Sequence, residues 1–350
     1  MVTIRIGSSE IGVGNPCFII AEAGVNHNGD INLAKKLIDV ASNAKANAIK
    51  FQTFVSEDLV AKDVEIVGYQ KENIGKTISQ LEMLKNLELS LDEFRELKNY
   101  CDEKKIIFLS TLHTYSGILE FMDALLPAYK IGSGDLTNFV FLEKLAKRKK
   151  PMILGTGMAT LEEVMEACEL IKRYHENIIM LHATTNYPCP LEEVNLNAMK
   201  TMQEKLDCLV GYSDHTEGIT VPIMAVAMGA VVIEKHFTFD KNLPGPDHKA
   251  SLDPQELTKM IAEVRRAERA LGSHEKIPVP SEIEIMKAVR KSVVARVDIE
   301  KGMVLREEML AIKRPATGIS PKKFYSLIGK RLNRSIKKDQ IIREDMLEEI

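Results

Sequence analysis

Two short apolar runs in this chain end in histidine-bearing triplets. Leu209-Val210 leads to Ser213-Asp214-His215, and Val231-Val232-Ile233 leads to Glu234-Lys235-His236. If the runs are neighbouring strands, about 4.8 Å apart, both imidazoles reach one ion. Neutral imidazole suits Mn, Fe, Co, Ni or Zn, with the remaining positions left to water, carboxylate or substrate oxygen. The competing reading makes one histidine a general base and the other a structural hydrogen-bonder. A second group is cationic. Lys50-Phe51-Gln52 places Lys50 and Gln52 on one side of a strand, and Lys130 precedes Gly132-Ser133-Gly134. Lysines inside a protein are costly unless they meet an anion. With Thr111, Ser133 and glycine-rich turns they describe a pocket for phosphate plus carboxylate. The alternative, that they pair with Glu22 and Glu234, is compatible: an empty anion site rests on internal pairs.

Further candidates stand alone. Glu22 ends the run Phe18-Ile19-Ile20-Ala21 and is an acid-base group or hydroxyl ligand. In Asn26-His27-Asn28-Gly29, the Asn-Gly pair is a turn and His27 a structural hydrogen-bonder. Asp247, in the rigid Leu243-Pro244-Gly245-Pro246-Asp247-His248 stretch, is either a turn residue or an acceptor for vicinal hydroxyls. His248 has no evident role. Arg314, before Pro315, sits on extended backbone that presents its guanidinium outward, and alone it is a surface arginine.

Elements must carry these groups to one place. About eight apolar runs each end in a reactive polar group: Glu22, Lys50 and Gln52, Ser110-Thr111, Lys130 and Ser133, Thr156, Thr184-Thr185, Ser213 to His215, and Glu234 to His236. Such runs read as parallel strands buried on both faces. Helical patterns lie between them at 31–46, 89–104, 139–149, 161–174, 219–228 and 254–271, with Asp30 and Ser90 or Asp92 as cap candidates. The alternation predicts an α/β fold, a (β/α)8 TIM barrel with its chemistry at the C-terminal ends of the strands. The excursion at 55–88 is placed to shape a pocket. The barrel is assigned to residues 1–272, a polar two-proline linker to 273–284, and a small loop-rich domain to 285–350. That last domain holds 16 Lys and Arg against 9 Asp and Glu.

Of 350 residues, 45% are hydrophobic and 28% charged, an ordinary globular composition, and the net charge of -3 names no polyanionic partner. No apolar run approaches the roughly 18 residues of a membrane span. The five cysteines show no CxxC spacing and read as reduced thiols of a cytoplasmic protein.

Taken together, these motifs resemble the sialic acid synthase family, the synthases of N-acetylneuraminate and related nonulosonates. The resemblance rests on Ile19 to Gly29, Lys50 to Phe54, Lys130 to Gly134, Gly155 to Met158, Gly211 to Thr216, Glu234 to Thr238, Gly245 to Ser251 and Lys313 to Ser320, in that order. It implies that the small domain is an antifreeze-like SAF domain, related to type III antifreeze protein, with no ice binding implied. It also implies a domain-swapped homodimer and condensation of phosphoenolpyruvate with an open-chain N-acetylmannosamine-type aldehyde. By the same resemblance Lys50, Thr111, Lys130, Ser133, Thr156 and Ser213 hold phosphoenolpyruvate. His215 and His236 hold a divalent ion (Mn or Mg, with Co as a further option). Glu22, Gln52, Tyr187, Asp247 and Arg314 surround the sugar, Arg314 from the other subunit. The catalytic set is Glu22, Lys50, Lys130, His215 and His236. Gly155 departs from the family's usual serine, and a phosphate hydroxyl is lost with it.

The aldose is open: N-acetylmannosamine gives N-acetylneuraminate, and 2,4-diacetamido-2,4,6-trideoxymannose gives N,N'-diacetyllegionaminate. A barrel synthase using a sugar phosphate is a rival, as is a binding module for ice, glycan or nucleic acid, which leaves the barrel rim unexplained. Neither nucleic acid nor membrane is an expected partner.

Overall fold

A computed structural model of the chain describes residues 2–61, 64, 79–113 and 117–348. They divide into two units, Met1–Gly272 and Ser273–Ile350. In the first, eight parallel strands close into a barrel. A hairpin of β1 (Thr3–Ile6) and β2 (Ser9–Gly12) precedes them. The barrel strands are β3 (Phe18–Gly24), β4 (Ala48–Thr53), β5 (Ile107–Leu112), β6 (Tyr129–Ile131), β7 (Met152–Gly155), β8 (Ile178–Ala183), β9 (Leu209–Asp214) and β10 (Val232–His236). They neighbour one another in chain order, and β10 pairs with β3 to close the ring.

Period-two alternation divides each strand between two cores. Ala21 and Ala23, Phe51, Tyr129 and Ile131, Tyr212 and Ile233 point outward into an apolar layer shared with the helices. Those helices are α1 (Ile31–Asn43), α2 (Ser56–Leu59), α3 (Gln80–Lys85), α4 (Leu91–Glu103), α5 (Leu119–Leu125), α6 (Phe139–Ala146), α7 (Leu161–Lys172), α8 (Asn197–Lys205), α9 (Thr220–Ala227) and α10 (Pro254–Leu271). Asp30 caps α1 by accepting from the Asn32 N–H, and Ser90 caps α4 in a reciprocal box with Glu93.

Inside the barrel, Phe18, Ile20, Ala48, Leu109, Ile153, Ile179, Leu181 and Val232 fill the half away from the reactive groups. Ile4, Ile6 and Ile11 of the hairpin join the same cluster, so the β1–β2 hairpin plugs the N-terminal end. Sequence reading did not anticipate this plug. Four-residue strands around one glycine turn carry too little alternation to stand out. The helices α5 and α8 were also not anticipated. Helix α8 buries only Met199 and Met202, too sparse a stripe to announce a helix. In the excursion at 55–88, residues 62–63 and 65–78 lie outside the described residues.

The second unit begins in the predicted linker, but the segment is not wholly irregular: helix α11 (Glu282–Val289) starts before its expected end at 284. Its body pairs β11 (Ser292–Ala295) with β12 (Leu310–Lys313), antiparallel, around a core of Val293, Ile299, Leu305, Leu310, Leu332 and Ile342. Among the described residues no helix is long and apolar enough to cross a membrane. All five cysteines are free thiols.

Because Ile6 is fully buried in the plug, Ile6→Ala is expected to lower stability by about 2–5 kcal/mol. Urea unfolding followed by circular dichroism measures this, and an unshifted midpoint would show that the hairpin is not part of the barrel core.

Candidate active site

The register of the strands sets the site. Glu22 on β3 lies opposite Lys50 on β4 on one side and His236 on β10 on the other. Gln52 pairs with Thr111, and Thr111 pairs with Lys130. Glu234 pairs with Ser213. A cavity of about 350 Å³ opens at this end, and Glu22, Lys50, Gln52, Thr111, Lys130, Ser133, Tyr187, Ser213, His215, Glu234, His236 and Asp247 all line it. Eleven of the thirteen residues expected at the site, joined by Glu234, thus meet at one mouth in the barrel unit.

Four buried charges form its floor. Lys50 Nζ lies 2.8 Å from Glu22 Oε2 and 3.8 Å from Glu234 Oε2, and donates to Thr111 Oγ1 at 2.5 Å. Lys130 Nζ lies 3.3 Å from Glu234 Oε1, which also accepts from Ser213 Oγ at 3.0 Å. Burial, reinforced by the Glu234 charge, pushes the Glu22 carboxyl well up despite Lys50. Burial acts on Glu234 in the same sense, but Lys130 and Lys50 overcome it and hold that carboxyl well below its usual range. One carboxyl therefore titrates near neutral pH, at about 7, while its neighbour stays ionised. Lys130 is itself lowered by burial and by Lys50.

The histidines stand beside this floor. Their ring centroids are 5.7 Å apart, and the Tyr187 ring lies 4.1 Å from His215 and 5.6 Å from His236. His215 Nδ1 is 2.6 Å from the Thr184 carbonyl, so it carries the proton and leaves Nε2 as a free lone pair. His236 Nδ1 is buried without a hydrogen-bond partner. Burial lowers both histidines; the His215 ring and Lys50 lower His236 further, whereas the Thr184 carbonyl and the Asp214 and Glu234 charges partly oppose the shift at His215. Two neutral imidazoles with spare lone pairs fit a first-row divalent ion. Among the described residues no group of three or more His, Cys, Asp or Glu could enclose one, so an ion held by this pair would take its other ligands from water or substrate.

Behind the cavity wall lies a buried ion pair that sequence reading missed. Lys235 and Asp214 alternate with the cavity residues and face outward, their side chains 2.5 Å apart and almost fully buried. Asp214 also accepts from Tyr212 Oη at 3.0 Å and from the Thr216 N–H and Oγ1 at 3.1 Å, while Lys235 donates to the Thr216 carbonyl. The residues flanking His215 on both sides are thereby fixed.

Asp247 is held by a different device. Asn26 Nδ2 donates to the Phe237 carbonyl and to Ser251 Oγ, both at 2.9 Å, and Ser251 Oγ donates to the Asp247 carbonyl at 2.7 Å. His248 bridges Thr238 Oγ1 at 2.7 Å and Asn28 Oδ1 at 3.1 Å, and Asn28 Nδ2 donates to the Pro244 carbonyl. His248 and the 26–28 stretch thus staple the loop after β10 to the loop after β3. Burial alone raises the Asp247 carboxyl to about 6.

One expectation needs correction. Thr156 is not on the cavity wall: its hydroxyl donates to the Leu181 carbonyl at 2.9 Å, and it lines a separate recess beside His182 and Met202. Gly155 does line the cavity, and a Cβ there would meet Ser133 Oγ at 2.8 Å. The glycine leaves room for the Ser133 hydroxyl, which accepts from the Gly157 N–H at 3.0 Å. Arg314 belongs to the second unit, exposed and followed by a cis proline bond. One lining residue was not foreseen, His113, two residues after Thr111 on the same face; an apolar wall of Val25, Met83, Leu84 and Leu87 also lines the cavity, its last three residues coming from the excursion expected to shape a pocket. The i, i+2 rule applied to Thr111 would have found His113.

Comparison with known proteins follows the same division. The NeuB family model matches residues 37–276, and the SAF domain model matches residues 290–348. The N,N'-diacetyllegionaminic acid synthase of Legionella pneumophila is 46% identical over 325 residues, 91% of this chain and 91% of that protein. The N-acetylneuraminate-9-phosphate synthase of Homo sapiens is 38% identical over 346 residues, 97% of this chain and 94% of that one. The crystal structure of N-acetylneuraminic acid synthetase from Leptospira borgpetersenii matches with a TM-score of 0.74 at 37% identity, covering 81% of this chain and 95% of that one.

The raised Asp247 carboxyl has a consequence for stability. Its unfolded form releases its proton near pH 4 and its folded form near 6, so folding loses stability as pH rises between those values and no more above them. Asp247→Asn is expected to be more stable than the wild type by on the order of 1–3 kcal/mol at pH 8, with the difference vanishing by pH 3. Denaturant melts at the two pH values measure it, and a constant difference would contradict an unpaired buried carboxylate.

Proposed function

The chain belongs to the NeuB family, and from that membership we propose that it condenses phosphoenolpyruvate with the open-chain aldehyde of an acetamido-mannose, releasing phosphate and forming a nine-carbon nonulosonate. The family assignment makes the chain a carbon–carbon bond-forming synthase of the transferase class. The observation that carries the finer reading is the buried Lys50–Glu22, Lys130–Glu234 floor. Two ammonium groups resting on internal carboxylates match the phosphate and carboxylate of one small trianion.

In this reading Lys50, Lys130, Thr111 and Ser133 bind phosphoenolpyruvate and stabilise charge as it builds on phosphate. Gln52, Asp247 and Tyr187 orient the sugar. C3 of phosphoenolpyruvate attacks the aldehyde carbon, and Glu22, holding its proton near neutral pH, delivers it to the forming alkoxide. Positive character at C2 takes up water, whose proton passes to ionised Glu234, and the tetrahedral adduct loses phosphate by C–O cleavage. His215 and His236 would hold a divalent ion (Mn, Mg or Co), which when bound supplies Lewis-acid polarisation at the aldehyde oxygen. Holding both substrates in near-attack geometry is worth up to roughly 7–11 kcal/mol in model reactions. The reading includes a domain-swapped homodimer in which Arg314 reaches the sugar in the other subunit. Arg314 is exposed and has no ion-pair partner among the described residues, which leaves it available for that role.

A specific observation favours one aldose. The wall of Val25, Met83, Leu84 and Leu87 offers no partner to hydroxyls or phosphate, and Lys50 and Lys130 are the only lysines or arginines lining the cavity among the described residues. That surface suits the methyl groups of 2,4-diacetamido-2,4,6-trideoxymannose better than N-acetylmannosamine, and either better than a sugar phosphate.

The test offers these two sugars and N-acetylmannosamine 6-phosphate, each with phosphoenolpyruvate and Mn, and follows phosphate release and product mass. We expect turnover of both unphosphorylated sugars, with a higher kcat/KM for the diacetamido sugar. Turnover of the phosphorylated sugar alone, or of none, would overturn the reading.

A further inference from the structure

We infer that His113 is a neutral hydrogen-bond donor to the phosphate group of bound phosphoenolpyruvate, a third anion ligand beside Lys50 and Lys130. The inference rests on the phosphoenolpyruvate reading above. His113 continues the β5 face that carries Thr111, and its own N–H donates to the Thr53 carbonyl at 3.0 Å, so the strand register runs on through it. Its ring lines the cavity together with Thr111, Lys130, Gly132 and Ser133. The ring sits over Gly132: its Cε1 lies 3.4 Å from the position a Cβ would take there. The Phe54 ring packs against it edge to face, with ring centroids 6.5 Å apart. Among the described residues neither ring nitrogen has a hydrogen-bond partner.

Charge explains why an imidazole serves here. Lys50 and Lys130 are the charged groups that bear on His113, and with burial acting first they lower it to about 4. The ring is therefore neutral across the working range. A third cation in this pocket would repel the two lysines whenever the anion is absent. A neutral N–H adds a donor without that repulsion. Because neither nitrogen is claimed among the described residues, the proton can sit on whichever one faces the phosphate oxygen. The imidazole thus enlarges the phosphate cradle while leaving the balance of two ammonium groups and two carboxylates unchanged.

Calorimetric titration of the full-length protein with phosphoenolpyruvate alone, with inorganic phosphate and with pyruvate separates the possibilities. His113→Phe, apolar and of similar size, is expected to weaken phosphoenolpyruvate and inorganic phosphate about tenfold and to leave pyruvate unchanged. His113→Gln, which keeps a donor, is expected to stay within about threefold of the wild type. Unchanged phosphate and phosphoenolpyruvate binding in a folded His113→Phe protein would overturn the inference, as would a loss confined to pyruvate. A wild-type protein that binds no phosphoenolpyruvate would instead overturn the reading on which it rests.

Discussion

Two ammonium groups and two carboxylates buried at one end of a closed barrel are the constraint around which this structure is arranged. Each charge taken from water alone would carry several kcal/mol of desolvation. Here Lys50 rests on Glu22 and Lys130 on Glu234, with Thr111 and Ser213 adding hydrogen bonds. The arrangement does not neutralise itself symmetrically. Burial pushes the Glu22 carboxyl up to about 7, while Lys130 and Lys50 overcome burial to hold Glu234 well below its usual range, so the two carboxyls differ in how readily they take a proton.

Everything around the floor fixes it in place. The hairpin plug and the lower barrel core give the strands a rigid, dry base. Behind the wall the Lys235–Asp214 pair fixes the residues on either side of His215. Removing one partner of such a pair would strand a charge in the interior, at about 3–5 kcal/mol. Above the floor, Asn26, Asn28 and His248 tie the Asp247 loop across the β10–β3 closure using neutral groups alone. Asp247 itself has no charge partner among the described residues. Its burial without a counter-charge is a place where the fold accepts instability.

Much of this was legible in the sequence because strand parity and residue type agree. Lys50 and Gln52, or Glu234 and His236, must share a face once the run before them is a strand, and the closing order of the barrel brings them together. What was not legible depended on packing with weak local signal. The four-residue strands of the plug, the two-methionine stripe of α8 and the outward Lys235 differ little from solvated sequence until their partners are known. Thr156 misled for the opposite reason. It ends an apolar run like the others, but β7 turns at Gly155 and gives its hydroxyl to the Leu181 carbonyl. Gly155 looked like a missing hydroxyl and is in fact the space that Ser133 occupies.

The most direct test of the account is a crystal structure of the protein grown with phosphoenolpyruvate. The account predicts anionic oxygens within hydrogen-bond distance of both Lys50 Nζ and Lys130 Nζ, with the 2.8 Å Lys50–Glu22 contact opened. Phosphoenolpyruvate bound elsewhere, with both lysines still seated on Glu22 and Glu234, would contradict it.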